Sequence, residues 1–242
     1  MKKRIVQVLI FILFINISLF SVPQMIENPF PSVENLNNFK ADDYTKYSQN
    51  FLDNTQISLI TITPGKEVFS WFGHSAIRIS NPDIEDRLFD TGVFSYTDTF
   101  AQDLVQGKLY FGAYQSYAEG TINAYERENR IVSTLPLTLT NLEKAETIEF
   151  INYHSKWENH IYLYDYYLDN CATRLRDIIN KNTDDDLKTW ASDIGEGTTF
   201  RKLTTHYMTR NFLINFVFNY LEGPSIDYPI NRYEASFIPE KL

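Results

Sequence analysis

The sequence predicts an α+β domain in which mostly antiparallel strands pack against segregated helices. Three observations predict it. Residues 57–62 are a β-branched apolar run stopped by Pro64-Gly65, which reads as a buried strand and a turn. Residues 74–79 and 88–94 flank the turn-forming Asn81-Pro82-Asp83 and read as an antiparallel hairpin. Thr140-Asn141-Leu142-Glu143 places a capping hydroxyl three residues before a glutamate, the signature of a helix start.

The remaining elements follow in order. Residues 23–50 hold Pro23, Pro29 and Pro31 with many Asn, Asp and Lys, and read as a linker with a short helical lead-in near 42–53. The folded domain is expected to span residues 55–242, after a lead-in at 22–54. Residues 98–106 have helix-forming character ended by Gly107, and 109–117 form an aromatic-rich strand. Residues 130–139 read as a further strand, the capped helix runs from 140 to about 158, and 161–167 read as a tyrosine-rich strand. Asn170 opens a helix through Ile179, and a phenylalanine-rich helix covers 200–220. The run Asp184-Asp185-Asp186 reads as solvated charge in a polar loop.

The chain begins with Lys2-Lys3-Arg4, and 16 residues from Ile5 to Phe20 follow as an apolar run broken only by Gln7, Asn16 and Ser18. That layout predicts a secretory signal over residues 1–21. The alternative is a retained anchor, on which any membrane association depends, although the run falls short of the ~17–25 residues that span a bilayer. The net charge is −9, and the basic cluster at the start contributes three of the 22 Lys and Arg residues. No basic patch remains in the mature region, which argues against nucleic acid as a partner.

Cys171 is the sole cysteine. An exported protein usually pairs its cysteines. A lone thiol in an oxidising compartment is at risk unless it is buried or used. A thiol attacks as its thiolate, and a free thiol near pKa ~8.5 is mostly protonated at neutral pH. A helix N-terminus stabilises the anion, and a neighbouring histidine takes the proton. Asn170 is a good N-cap, so Cys171 falls in the first helical turn, where backbone N–H groups near Cys171 and Ala172 are placed to stabilise an oxyanion.

His74 opens a core strand after Gly73 and is the candidate base, whereas His154, His160 and His206 lie on helices or near their ends and read as surface or packing residues. Asp90, on the partner strand, is the candidate orienter of the imidazole, with Tyr96 and Asp98 as alternatives. Without further context, a cysteine at a helix start more often serves as a small buried hydrophobe. Arg174, Arg176 and Asp177 are expected to form structural ion pairs around the helix. The tyrosines at 162, 164, 166 and 167 are expected to supply core and rim, with Tyr164 or Tyr167 at the border of a cleft. No Gly-rich phosphate loop, G-x-S-x-G, H-E-x-x-H or Cys-x-x-Cys occurs, so no cofactor or metal is expected.

The segments from Trp71 to Arg78, from Phe89 to Phe94, from Tyr164 to Asp177 and from Thr199 to Arg201, with Asp227-Tyr228-Pro229 and the closing 237–242, closely resemble the bacterial envelope domain called the Lnb N-terminal periplasmic domain. The resemblance covers about residues 55–242. That family looks like a circularly permuted relative of papain-fold thiol hydrolases, among them the NlpC-type peptidases and lecithin retinol acyltransferase. The resemblance implies Cys171 as nucleophile, His74 as base and a polar residue near Asp90 as orienter; the residues themselves offer Asn170, Ala172 and Tyr164 as site support. It also implies a periplasmic or envelope location. The expected activity is that of a cysteine-dependent hydrolase or acyltransferase on an amide or ester acyl group, in a peptidoglycan peptide or an acylated lipid or lipoprotein. The rival expectation is a non-catalytic envelope domain that keeps the fold to bind a partner.

Overall fold

The computed structural model describes residues 46–94, 108–183, 185–193 and 195–242. Six strands, β1 (Gln56–Ile62), β2 (His74–Asn81), β3 (Ile84–Val93), β4 (Tyr110–Tyr117), β5 (Val132–Pro136) and β6 (Ile161–Leu163), make one antiparallel sheet ordered β5-β1-β2-β3-β4-β6. The fold is α+β, as expected. The β2–β3 hairpin sets Ile77 opposite Phe89 and Arg78 opposite Leu88.

Successive residues of a strand point to opposite faces, so an unbroken apolar strand needs a cover on both. Four helices provide it: α1 (Gln49–Asn54), α2 (Ala118–Arg127), α3 (Asn141–His154) and α4 (Cys171–Asn182). Ile57 and Leu59 of β1 pack with Ile77, Ile79 and Phe89 against Leu52 of α1, Ile148 and Ile151 of α3, and Leu175 and Ile178 of α4. Ile60 and Ile62 turn the other way, to Ala76, Leu88 and Ala118, with Ile122 and Tyr125 of α2 beside them.

The C-terminal elements are α5 (Asp186–Ser192), β7 (Gly195–Thr199), α6 (Phe200–Met208), α7 (Phe212–Leu221), β8 (Pro229–Asn231) and α8 (Arg232–Ala235), and a second, aromatic core forms among α6, β8 and α8. Phe200, Ile226, Ile230, Phe237 and Ile238 are its buried members, and Phe72, Tyr166 and Tyr167 plug into it from outside. Arg201 closes this layer with a two-pronged grip on Asp227, Nε to Oδ1 at 2.6 Å and Nη2 to Oδ2 at 3.1 Å. Phe72 and Tyr166 lie just ahead of His74 and Cys171 in the chain, so this core anchors both segments.

The structure departs from the sequence reading in several places. The tyrosine-rich strand ends at Leu163, because Asp165 Oδ1 accepts the N–H groups of Tyr167 and Leu168 (2.9 and 2.8 Å) and turns the chain. The phenylalanine-rich helix is two helices, with Asn211 capping the second through Ile214 N–H at 3.1 Å. Asp185 takes a left-handed backbone (φ 64°) and Asp186 begins α5, so these two lead into a helix instead of lying in a loop. Tyr47 and Leu52 are buried, which brings the lead-in into the core. The segment 118–129, given no element from sequence, holds α2. Thr140 and Glu143 form the expected capping box, although that helix stops at His154. The signal segment, the helix read at 98–106, and Tyr96 and Asp98 lie outside the described residues.

Candidate active site

His74 is the first residue of β2 and pairs with Ile62, the last residue of β1. Its approach depends on Gly73, which has φ +81° and passes so close that a Cβ would lie 2.7 Å from the Ile62 carbonyl oxygen. His74 Nε2 lies 3.0 Å from Asp90 Oδ2, and the two side chains are only 13% and 12% exposed. Asp90 Oδ1 accepts the N–H of Gly92 at 2.7 Å. Gly92 lies against the imidazole: a Cβ there would sit 2.6 Å from His74 Cε1 and 3.2 Å from Nδ1. One carboxylate oxygen therefore faces the histidine while the other is tied to the backbone.

Burial alone would push the His74 imidazole down, but the Asp90 carboxylate, and after it Tyr125 and Cys171, hold it well above its usual range. Burial alone would likewise push Asp90 up, and the His74 imidazolium, the Gly92 N–H and the Tyr125 hydroxyl hold it below the usual carboxylate range. Each partner thus favours the charged form of the other.

Cys171 is the first residue of α4 and is partly exposed. The turn is built on Asn170, whose Oδ1 accepts Ala172 N–H at 2.8 Å and Thr173 N–H at 2.9 Å. Asn170 Nδ2 donates to the carbonyls of Tyr166 (2.8 Å) and Phe237 (2.9 Å), and its own N–H donates to Thr173 Oγ1 at 2.7 Å. Every polar group of this buried asparagine side chain is therefore used to hold the turn. The cap also corrects the support expected of Ala172, whose N–H is already bound by Asn170. The N–H of Cys171 has no acceptor among the described residues.

Tyr164 stacks on Phe111 with ring centroids 4.1 Å apart. Burial, and next the Cys171 side chain, push its hydroxyl up, which sets it in the electrostatic neighbourhood of the thiol. Arg174 lies over the Tyr162 ring, its Cζ 3.5 Å from the centroid, and Nη2 is 3.0 Å from Asp169 Oδ2. Arg176 donates to the Tyr233 carbonyl at 2.9 Å and to Asp177 at 2.7 Å. Both arginines serve the scaffold. His160 is buried between the rings of Tyr114 and Trp157, and His154 stacks on Phe150, so both are packing residues.

Two residues of the site went unread in the sequence. Tyr125, on α2, has its ring centroid 6.1 Å from that of His74. Burial first, and the nearby Asp90 carboxylate among the charges around it, raise its hydroxyl to about 12. Arg130 is buried beneath it, with Cζ 4.8 Å from the Tyr125 centroid. A signal existed: Ala118, Ile122 and Tyr125 fall at helical spacing, i, i+4 and i+7. Gly120 and the β-branched Thr121 and Ile122 in that stretch obscured it.

Residues 42–207 match the family model described as the Lnb N-terminal periplasmic domain. The chain belongs to that family. The domain is accordingly an exported, periplasmic one, and the match covers β1 to α6, with every residue of the candidate site inside it. Comparison with curated proteins and with solved structures returned no match.

Proposed function

We propose that this periplasmic domain is a cysteine-dependent hydrolase or acyltransferase of permuted papain-like build, with Cys171 as nucleophile, His74 as base and Asp90 as orienter. The observation that carries the reading is the buried contact of His74 Nε2 with Asp90 Oδ2 at 3.0 Å, made by a histidine whose electrostatic neighbours include a cysteine at a capped helix start.

The geometry supports a division of labour. Asp90 engages Nε2, which leaves Nδ1 to exchange a proton with the Cys171 sulfur. The positive end of the α4 dipole and the N–H of Cys171 itself favour negative charge at that sulfur. The thiolate adds to an acyl carbonyl carbon, and the Cys171 N–H is the nearest backbone donor for the oxygen that becomes negative. As the tetrahedral adduct collapses, the proton on Nδ1 goes to the departing amine or alkoxide and a thioester remains on Cys171. Water or an acceptor nucleophile then adds to the thioester while Nδ1 takes its proton, and the sulfur leaves. An amide or ester acyl group of a peptidoglycan peptide or of an acylated lipid or lipoprotein is the substrate class that the compartment offers.

Mass spectrometry tests the reading. Wild-type protein and Cys171→Ser, incubated with envelope extract and digested, are expected to carry an acyl mass on the peptide containing residue 171, absent from Cys171→Ala. That mass names the acyl group. Its absence from both chains would leave a non-catalytic binding domain as the better account.

A further inference from the structure

We propose that Tyr125, clamped by Arg130, is a positioning residue that fixes the Asp90 carboxylate and, through it, the ring of His74. The inference rests on the Cys171–His74 reading above and extends it to helix α2, an element on the opposite face of the sheet from α4.

The contacts form a closed circuit around the histidine. The Tyr125 ring is tilted beside that of His74 with centroids 6.1 Å apart, and its hydroxyl is among the groups that hold the Asp90 carboxyl down. The guanidinium of Arg130 lies 4.8 Å from the centroid of the Tyr125 ring. Its Nε donates to the Thr63 carbonyl at 2.8 Å, and its backbone N–H to the Tyr125 carbonyl at 3.1 Å. Thr63 directly follows Ile62, the β1 residue that pairs with His74. Thr63 and Ile131 are joined by two further bonds, Thr63 N–H to the Ile131 carbonyl (3.0 Å) and Ile131 N–H to Thr63 Oγ1 (2.9 Å). Arg130 thus ties the end of α2 to the strand end that holds His74.

A guanidinium is a costly choice for a spacer. The Arg130 side chain is only 4% exposed, its nearest carboxylate oxygen is 3.8 Å away on Glu128, and its Nη2 has no hydrogen-bond partner among the described residues. Burying a charge so sparsely paired is unfavourable. An apolar residue would fill the space under Tyr125 more cheaply. A guanidinium over the Tyr125 ring and a fixed positive charge near Asp90, Tyr125 and Cys171 are what the arginine adds. Asp90 from β3, Tyr125 from α2 and Cys171 from α4 are the titratable groups facing His74.

Tyr125→Phe keeps the ring and removes the hydroxyl, so it separates positioning from packing. Two readouts on the full chain report it. The first is the pH midpoint of the His74 imidazole in histidine-labelled protein, assigned with His74→Gln. It is expected to move down by about half a pH unit, because an unanchored carboxylate spends less time beside Nε2. The second is alkylation of Cys171 by iodoacetamide at pH 7, expected to slow roughly 10-fold with the thermal unfolding midpoint little changed. Arg130→Met should move both readouts in the same direction, and Arg130→Lys, which keeps the charge but not the plane, should move them less.

A Tyr125→Phe chain that matches the wild type in both readouts overturns the inference and leaves the Cys171–His74 reading standing. A wild-type Cys171 that reacts no faster than in His74→Gln overturns that reading instead. The His74 midpoint would then still test Tyr125, since it does not depend on the thiol's reactivity.

Discussion

The β2–β3 hairpin carries two cation–carboxylate pairs on one face, four residues apart on each strand, and they do different work. Arg78 lies opposite Leu88 and reaches diagonally to Asp86, Nε to Oδ2 at 2.9 Å, with Ser80 Oγ also donating to Asp86 at 3.0 Å. His74 lies against Gly92 and reaches by the same diagonal to Asp90 at 3.0 Å. The pair near the turn is about one-third exposed on each side, whereas the pair at the other end is nearly enclosed. Water and counterions screen the first, and arginine keeps its proton, so it braces a turn. The second is shielded by α2, and histidine, unlike arginine, is a titratable cation. The same strand geometry thus yields a screened surface pair or an enclosed, titratable one according to the cover and the cation.

The largest break of this contrast is expected from Asp90→Asn. Removing the carboxylate takes away what holds His74 above its usual range, and alkylation of Cys171 near neutral pH should fall about 10²-fold. The stability cost should be about 1–3 kcal/mol and pH-dependent. His74 is raised in the folded state, so its contribution is complete below about pH 6.5 and fades as pH rises through its folded value. Asp90 is lowered, so its contribution is present above about pH 4 and is lost as pH falls through its folded value. Unfolding compared at pH 6 and pH 9.5 should therefore show the larger gap between Asp90→Asn and wild type at pH 6.

Gly92→Ala tests whether the enclosure itself matters. The added methyl meets the imidazole at 2.6 Å, so the ring must move, at about 1–3 kcal/mol of overpacking and a several-fold loss of alkylation rate. The smallest effect is expected from Arg78→Ala. Chemical denaturation should register about 0–1 kcal/mol, and the Cys171 rate should stay at the wild-type value.

The contrast also explains how much of the molecule was legible. Val, Ile and Thr alternation, Asn81-Pro82-Asp83 and the Thr140–Glu143 box are local signals, and each gave its element. Asn170 before Cys171 is likewise local, and the cap forms as its chemistry dictates. His74 and Asp90 were reachable because a hairpin register links them over a short span. Tyr125 and Arg130 were not, because their role depends on which face of the sheet α2 covers, a fact of tertiary packing. The engagement of the Ala172 N–H was missed because the cap that creates the helix start also uses the donor. The break at 209–211 was hidden because Thr209-Arg210-Asn211 holds no Pro or Gly, and Asn211 alone marks the second helix.

The account stands most directly on the partnership of Cys171 with His74. Its test is the second-order rate of iodoacetamide alkylation of Cys171 from pH 5 to 9, in wild type and in His74→Gln, against a free thiol. The account predicts that wild type outpaces the free thiol near pH 6 and that His74→Gln loses the advantage while remaining folded. Equal rates for wild type, His74→Gln and the free thiol across that range would contradict it.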